Sequence, residues 1–470
     1  MTHKLWLAPH TRSSHQLTMS FGIDDLRFST SYWYNDVDLL ELEKKFGVEY
    51  MENIYFHITA FEANKLTSLK PDVIDLGCYT RFHTAEFEKL WSTIQHNVWA
   101  QWRYENNAPD YKGVRFLSTP IAHPTAVQQL DTDNDNVLIF CGGGKDSLVS
   151  LKLAERASIP YSSCAYSSSI YGSAAAQHQL IGSLVESLQP EKQHKIWMYD
   201  DFLDSPVVEL AKEYQISSLT AAETPSSIFA SLPIVLQHHY RYISLGHERS
   251  ADTGNLIWDE TGEEVNHQWG KSSEAELLLN TYLQKYFISN SHYFSLLKPI
   301  YDVNIFALLQ QDLAHIPFTH SCNISKPWCK KCAKCAYVWL NYMAYLPVDL
   351  VNNIFSNVNL FDIPENQLWF RQMLGLEAHT PFECIGQIDE ARLAFELCRH
   401  KGLTGQAMTI FIDNVKDFDV ESTIKKYTVV NDDYPFIPQE MAEKVKAIMK
   451  ESAKNNQTYL SNLLKKEHIA

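Results

Sequence analysis

Six residues near position 145 have the types and spacing of a phosphate-binding loop. They read Gly142-Gly143-Gly144-Lys145-Asp146-Ser147, and they follow Val137–Phe140, an apolar run of the kind that forms a buried parallel strand. Glycine lets the backbone approach a ligand closely because it has no Cβ. A helix that begins at Asp146-Ser147 would also present free N–H groups to an anion. The segment therefore predicts a strand, an anion-binding loop and a helix in succession.

The loop is not a Walker A motif, because that motif needs Ser or Thr after its lysine and Lys145 is followed by Asp146. A glycine turn without a ligand is the weaker alternative. The sequence instead resembles the PP-loop of the N-type ATP pyrophosphatases, Ser-Gly-Gly-x-Asp-Ser. The resemblance implies that ATP is cut between its α and β phosphates, with pyrophosphate held by the glycine amides and Ser147 and Mg²⁺ held by Asp146. Gly142 replaces the usual Ser, which removes one hydroxyl contact.

Four cysteines have the spacing of a metal site. They follow the pattern Cys-x6-Cys-x2-Cys-x2-Cys, with the residues Cys322, Cys329, Cys332 and Cys335. Four thiolates complete the tetrahedral shell of a structural Zn²⁺, which leaves no open position for chemistry. An iron–sulfur cluster is the alternative ligand, and four unligated cysteines are the weaker interpretation.

Three polar segments carry further candidates for chemistry. Residues 246–252 follow a predicted strand, residues 265–272 precede a predicted helix, and residues 379–386 contain an isolated cysteine. We interpret the first segment as nucleotide or substrate contacts, and the other two as sources of acid–base and anion-binding groups. The alternatives are a solvated loop, a hydrogen-bonding structural histidine and a core cysteine. The candidate residues are His247, Glu248, Arg249, His267, Lys271, Glu383 and Cys384.

The elements that would position these residues alternate between strands and helices. The predicted strands after Val137–Phe140 are 161–166, 194–199 and 242–245, and the predicted helices include 174–188 and 226–240. This alternation predicts an α/β fold in which helices cover both faces of a parallel sheet. Ligands of such sheets bind at the carboxyl ends of the strands, where the glycine loop lies.

The chain divides into three predicted domains, with the first boundary in the polar run 131–136. Residues 1–130 are an aromatic-rich α+β domain, residues 131–315 the ATP-binding domain, and residues 316–470 a mostly helical region that holds the cysteine site. Locally, Tyr55–Ile58 predicts a strand or helix start near a surface, and Ser273 with Glu276 predicts a capping box.

The composition limits the partners and the compartment. A net charge of −16 over 470 residues argues against nucleic acid and anionic membranes as partners. The sequence has no apolar run near the roughly 20 residues that span a bilayer, and its N-terminus does not read as a signal peptide. Nine cysteines, four of them clustered, indicate a reducing compartment. These features predict a cytoplasmic protein and leave its oligomeric state open.

Taken together, the motifs resemble one PP-loop family, the ATP-dependent epimerases of UDP-N-acetylmuramoyl-L-alanyl-L-glutamate. The motifs that match are Gly-Gly-Gly-Lys-Asp-Ser, Asn-His-Gln-x-x-Lys, the cysteine cluster and Pro-Phe-Glu-Cys-Ile-Gly. The resemblance implies a HUP/PP-loop domain, a nucleotide-sugar peptide substrate, and ATP, Mg²⁺ and structural Zn²⁺ as cofactors. The related cluster of the cyano-deazaguanine synthases also favours zinc. Inversion of glutamate needs two acid–base groups, for which His267, His247, Glu383 and Cys384 are the candidates.

Three other functions share parts of this pattern. An amide or nitrile synthetase would pass ammonia to the same acyl-adenylate, although Thr2 stands where a glutaminase domain would have its cysteine. A tRNA-modifying enzyme would need an RNA-binding surface, which the acidic charge disfavours. A nucleotide-binding regulator would keep the fold without turnover, and Gly142 is the feature that favours it.

Overall fold

The computed structural model describes residues 2–122, 126–131, 135–167, 172–207, 209, 212 and 214–465. Residues 132–134 of the predicted boundary run lie outside this described part. Twelve strands are described: β1 Lys4–Arg12, β2 Gln16–Ile23, β3 Leu26–Tyr34, β4 Val73–Asp75, β5 Arg115–Phe116, β6 Val137–Phe140, β7 Tyr161–Tyr166, β8 Gln193–Asp200, β9 Tyr242–Leu245, β10 Leu256–Ile257, β11 Glu264–Val265 and β12 His292–Ser295.

Ten of these strands form one mixed sheet in the order β12-β9-β6-β7-β8-β3-β2-β1-β4-β5. The pairs from β12 to β8 are parallel, as predicted for β6, β7, β8 and β9, whereas β12 is not among the predicted strands. β6 lies at the centre of this parallel half, with β7 on one side and β9 on the other. The strand order therefore reverses at β6, and the crevice at the carboxyl ends of the strands at such a point is where open α/β sheets bind ligands.

Both faces of the parallel half are covered. Leu138 and Phe140 of β6 point into one hydrophobic core, and Val137 and Ile139 point into a second core on the other face. Alternate side chains of a strand lie on opposite faces, so a strand buried on both sides reads as a continuous apolar run. The α/β class and the covering of both faces are confirmed.

The first three strands do not form a separate sheet. β1, β2 and β3 are an antiparallel meander, and β3 pairs antiparallel with β8 from Thr30↔Asp200 to Tyr34↔Ile196. Part of the predicted N-terminal domain thus extends the sheet of the predicted ATP-binding domain. The local alternation of β3 predicts a strand but not its partner, because pairing across about 165 residues leaves no local signal.

Seventeen helices of the described part surround the sheet: α1 Leu39–Phe46, α2 Val48–Ala63, α3 Ala85–Val98, α4 Ala100–Glu105, α5 Lys145–Arg156, α6 Ala174–Val185, α7 Asp201–Asp204, α8 Glu223–His238, α9 Ser273–Tyr286, α10 Asp302–Leu309, α11 Ala333–Tyr345, α12 Val348–Ile354, α13 Asn366–Met373, α14 Ile388–His400, α15 Gln406–Asn414, α16 Val420–Tyr427 and α17 Gln439–Lys465. Beyond the cysteine cluster the described chain is helical, as expected. None of the described helices combines the length and the apolar character that a bilayer crossing requires.

Two local predictions are wrong. Tyr55–Ile58 lies inside α2, which is buried along nearly its whole length rather than near a surface. A helix that is buried on all sides lacks the amphipathic period that would identify it. The predicted capping box of Ser273 and Glu276 does not form: Ser272 is the N-cap of α9 and accepts a hydrogen bond from Ala275 N, and Ser273 is the first helical residue.

Candidate active site

The glycine loop lies where the strand order reverses. It joins the carboxyl end of β6 to α5, and Gly144 occupies the N-cap position of that helix. The backbone N–H of Gly142 donates to Ser147 Oγ at 3.0 Å, which closes the loop on itself. At the neighbouring strand end, a Cβ on Gly246 would lie 3.1 Å from the Asp146 carbonyl oxygen. The start of α5 and the chain just after β9 are therefore in close backbone contact.

The three glycines of the loop differ in what they require. Gly143 has a φ of +83°, and a Cβ there would lie 2.0 Å from the His320 ring. The His320 N–H also donates to the Gly143 carbonyl at 2.9 Å. A side chain at position 143 is thus excluded by both conformation and space. A Cβ on Gly142 would meet no described atom within 4 Å, so this position has room for the missing serine.

Lys145 is buried beneath the loop. It is 1% exposed, and its Nζ donates to Asp302 Oδ1 at 2.5 Å and to Asp146 Oδ1 at 2.6 Å. Tyr337 OH donates to the second Asp302 oxygen at 2.8 Å. The Lys145 ammonium, predicted as a nucleotide contact, therefore anchors the loop to α10. The neighbouring Asp146 is half-buried.

The segment after β9 is largely internal. Glu248 is buried, and burial with the nearby Asp302 and Asp146 raises its pKa. His247 is also buried, and burial together with Lys271 and Lys298 holds its pKa well below the ordinary value. The Arg249 guanidinium lies 5.1 Å from the centre of the Tyr301 ring. The structure thus places Glu248 at the loop, whereas His247 is an uncharged interior group and Arg249 packs on an aromatic ring.

A short hairpin joins two of the predicted segments. Strands β10 and β11 bring Asn255 beside residues 265–267, and Asn255 Oδ1 accepts from His267 N at 2.9 Å. Its Nδ2 donates to Thr380 Oγ1 and to the Pro381 carbonyl, both at 2.9 Å. Gln268 Nε2 adds a bond to the Ile385 carbonyl at 3.0 Å. These bonds hold residues 265–272 against residues 379–386.

His267, Glu383 and Cys384 meet at this junction. One ligand atom from each, an imidazole nitrogen, a carboxylate oxygen and the thiol sulfur, lies within 4.8 Å of the others. Glu383 Oε1 accepts from Asn323 Nδ2 at 2.6 Å and from Cys384 N at 2.8 Å. His267 Nδ1 lies 2.6 Å from Gln101 Oε1. Since a carbonyl oxygen only accepts, this contact places a proton on Nδ1 and leaves Nε2 for the thiol.

The charges at this junction favour a thiolate. Burial alone would raise the pKa of Cys384, but Lys271, His267 and Lys334 together lower it to about 7. Burial lowers the pKa of His267, yet Cys384 and Glu383 raise it overall. The pKa of Lys271 is likewise raised, against burial, by Cys384, Glu248 and Asp146. Lys271 is therefore a stable cation, and its positive charge interacts with both the Cys384 thiol and Asp146 of the glycine loop.

A cavity of about 350 Å³ opens beside these groups, and its wall includes His267, Lys271, Glu383 and Cys384. A second cluster of ionisable side chains lies on the cavity wall, and its residues come from α2, from β8 and from the short helix that follows α2. In this cluster Lys65 Nζ donates to Glu62 Oε2 at 3.1 Å and also contacts Asp200. The remaining wall is mainly apolar, with Phe61, Met198, Phe202 and Leu219. A polar group of substrate could thus enter between two charged clusters.

The four cysteines come together at one end of α11. The Sγ atoms of Cys322 and Cys332 are 3.8 Å apart, as are those of Cys329 and Cys335. Three backbone N–H groups, from residues 324, 325 and 329, point at Cys322 Sγ at 3.3–3.4 Å. The same segment reaches the junction described above, because Asn323 binds Glu383 and Lys334 Nζ donates to the Cys384 carbonyl.

Several residues of the site carry no recognisable motif. Asp302 and Lys298 are the only charged residues in the run 293–309, which is a weak signal of buried polar roles. Lys298 Nζ donates to the carbonyls of Glu248 at 3.0 Å and Lys271 at 2.7 Å. Gln101, Asn255 and Asn323 act through partners that are 60 to 166 positions away. Local patterns do not identify such partners.

Two regions of the chain match known protein-family models. Residues 224–296 match the model of the MurL N-terminal domain, and residues 317–423 match that of the MurL C-terminal domain. The first region contains His267 and Lys271, and the second contains the four cysteines and Cys384. Both sides of the junction therefore fall within matched regions.

The chain is also similar to three curated proteins named UDP-N-acetyl-alpha-D-muramoyl-L-alanyl-L-glutamate epimerase. It is 29% identical over 309 residues to that of Salinispora tropica, which is 63% of each chain. Over 312 residues it is 29% identical to that of a Micromonospora species, covering 63% of this chain and 64% of the relative. Over 323 residues it is 29% identical to that of Xanthomonas oryzae pv. oryzae, 66% of each chain. The chain thus spans about 63% of the length of the first of these epimerases.

Proposed function

We propose that the protein is an ATP-dependent epimerase that adenylates the terminal L-glutamate of UDP-N-acetylmuramoyl-L-alanyl-L-glutamate and inverts its α-carbon, releasing AMP and pyrophosphate. The main support for this proposal is that two features of the structure lie close together. A glycine loop at the reversal point of the sheet lies within the field of Lys271, which also lines the cavity beside Cys384 and His267. The similarity to named epimerases supports the choice of substrate.

The chemistry requires both features. The α-proton of a carboxylate is hard to remove, because the product would carry two neighbouring negative charges. Attack of the carboxylate oxygen on the α-phosphorus of ATP expels pyrophosphate and makes a mixed anhydride without that charge. A side-chain base is then able to remove the α-proton, and protonation from the opposite face inverts the carbon. Hydrolysis of the anhydride releases the D-glutamyl product and AMP.

We assign the nucleotide to the crevice at the end of β6. The amides of Gly142–Gly144 and the hydroxyl of Ser147 would bind the phosphates, since helix N-termini and glycine loops favour anions. Asp146 would hold Mg²⁺, with Glu248 nearby as a second carboxylate. Mg²⁺ would neutralise the phosphate charges. Lys145 contributes by fixing Asp146 to Asp302 rather than by contacting phosphate with its side chain.

We further propose that the four cysteines hold a structural zinc ion. Zn–S bonds of about 2.3 Å in a tetrahedron place neighbouring sulfurs about 3.8 Å apart, and the two cysteine pairs have Sγ–Sγ distances of 3.8 Å. A four-iron cluster is larger than one ion and would hold its cysteines further apart. Zinc at this place would fix Asn323 and Lys334, which in turn hold the segment of Glu383 and Cys384.

The proposal is tested by incubating the full chain with ATP, Mg²⁺ and the UDP-muramoyl dipeptide. We expect pyrophosphate and AMP in equal amounts and glutamate of D configuration after hydrolysis. The Asp146→Asn variant should lose pyrophosphate formation, whereas Asp135→Asn, a change of the same type outside the loop, should retain it. Pyrophosphate with a new amide and retained L configuration would identify a synthetase, and nucleotide binding without pyrophosphate would identify a regulator.

A further inference from the structure

Four residues at or near the cavity are candidates for the base, and their contacts in the structure distinguish them. His247 is buried and does not line the cavity. Glu383 already accepts two hydrogen bonds on one oxygen, from Asn323 and from the Cys384 backbone. Both contacts occupy that oxygen and hold the carboxylate against Asn323 and its own loop. His267 and Cys384 remain, and they contact each other.

Within this pair the proton belongs on the histidine. The contact with Gln101 Oε1 keeps a proton on His267 Nδ1, and the thiolate and Glu383 favour a second proton on Nε2. Around the sulfur, the charged groups are His267 and Lys271 from the segment 265–272, Lys334 from the start of α11, and Glu383 from its own loop. Because three cations and only one carboxylate surround the sulfur, its negatively charged form is favoured.

The position of Lys271 connects the thiol with the glycine loop. Cys384 and Lys271 share the cavity wall, and Lys271 is close enough to Asp146 and Glu248 for their charges to raise its pKa. A carboxylate that reacts at the glycine loop would therefore lie beside Lys271. Its α-carbon, one bond further from the phosphate, would then be on the side of the cavity that carries the sulfur.

We propose that the Cys384 thiolate is the base that removes the α-proton of the activated glutamate, and that His267 is a positioning residue that orients and charges it; this assignment rests on the epimerase function proposed above. The sulfur forms an S–H bond as the C–H electron pair moves into the acyl group and gives an enolate. A solvent-derived proton then adds to the opposite face, and the thiol returns its proton to solvent as the product leaves. One proton is thus taken from solvent and one is returned to it, so the reaction causes no net gain or loss of protons.

The test separates adenylation from proton transfer. Full-length wild type, Cys384→Ser and Cys384→Ala are incubated with ATP, Mg²⁺ and the UDP-muramoyl dipeptide in D₂O. We measure pyrophosphate, α-deuterium in recovered glutamate, and the intact mass of the quenched protein. Cys384→Ser should form pyrophosphate within about threefold of wild type but lose α-deuterium incorporation by about 100-fold or more. The exposed Cys78→Ser is the matched control and should match wild type in both measurements.

The His267→Gln variant tests the positioning role. Its result does not depend on whether the cysteine variants fold. It should retain exchange at high pH, with the midpoint of its pH–rate profile displaced upward, because His267 lowers the pKa of the thiol. Wild-type exchange in Cys384→Ser, loss of pyrophosphate together with exchange in that variant, an acylated Cys384 in the wild type, or an unshifted His267→Gln profile would each overturn the assignment. Wild type that forms no pyrophosphate would instead refute the epimerase function itself.

Discussion

At the scale of single residues, the site depends on a few positions whose neighbours leave little freedom. Gly143 adopts a backbone conformation that favours glycine and lies against His320. Cys384 is set apart from the other cysteines by three cations around its sulfur. The sequence identifies Gly143 from its motif, but Cys384 gains its character from Lys271, Lys334 and His267. Two of these lie more than 100 and one 50 positions away in the sequence, so a local pattern predicts only a core cysteine.

The glycine loop offers a matched pair of substitutions. Gly143→Ala should weaken ATP binding by about tenfold or more, because a Cβ would both strain the backbone and displace His320. Gly142→Ser should bind ATP at least as well as wild type, because its Cβ meets open space. Isothermal titration with a non-hydrolysable ATP analogue measures both. Equal binding by the two variants would contradict the role given to the loop.

The ionisation of Cys384 is measurable without turnover. Alkylation by iodoacetamide requires the thiolate, so its rate should rise with pH and level off above about 7, the pKa of this thiol. In Lys271→Met the midpoint should move upward, since a cation that lowers the pKa is removed, and alkylation at neutral pH should slow. Peptide mass spectrometry reports the modified residue. A midpoint that stays near 7 in the variant would contradict the electrostatic account.

At the scale of elements, the site is assembled by segments that are mostly loop, with one short hairpin among them. The loops at 246–272, 319–335 and 379–386 are joined by side-chain amides rather than by strand pairing, and Asn255, Asn323 and Gln268 each link two of them. The sequence predicts β9, the strand that precedes the first of these loops, because its apolar pattern is local. It does not predict which loops meet, because amide-to-carbonyl bonds are compatible with most loop sequences.

The cysteine element should affect the reaction through the loop that it holds. In Cys332→Ser, zinc content should fall well below one ion per chain, and exchange at the α-carbon should fall more than nucleotide binding. The reason is that Asn323 and Lys334 lie beside the cysteines and hold Glu383 and Cys384. Metal analysis with parallel exchange and binding assays checks this, and Cys398→Ser, a buried cysteine outside the cluster, is the control. Undiminished zinc in Cys332→Ser would refute the zinc site.

At the scale of the whole molecule, the N-terminal third completes the sheet and the cavity. Tyr34 OH donates to the Ala230 carbonyl at 2.9 Å, and Ser29 binds Asp201 through its N–H and its hydroxyl at 2.7 Å. Lys65 binds the buried Asp200 at the end of β8. Composition and turn signals predicted a boundary near residue 131, but they do not report that β3 pairs with β8. The division into three domains stays a prediction.

A fragment without the N-terminal strands distinguishes an independent second domain from one sheet that needs those strands. A fragment of residues 131–470 should lack a cooperative thermal transition, because its β8 edge would be unpaired and Asp200 would lose its buried cation. The full chain should unfold in one transition that includes the N-terminal strands. Differential scanning calorimetry and circular dichroism measure both. A fragment that melts cooperatively near the midpoint of the full chain would instead support an independent ATP-binding domain.

The most direct test of the proposed reaction couples its two halves in one sample. The protein is incubated in D₂O with ATP, Mg²⁺ and the UDP-muramoyl dipeptide, and pyrophosphate, the configuration of glutamate and its α-deuterium are measured together. We expect D-glutamate to appear only when pyrophosphate is released, and each D-glutamate to carry deuterium at its α-carbon. Pyrophosphate release with L-glutamate that retains its α-hydrogen would contradict the proposed reaction.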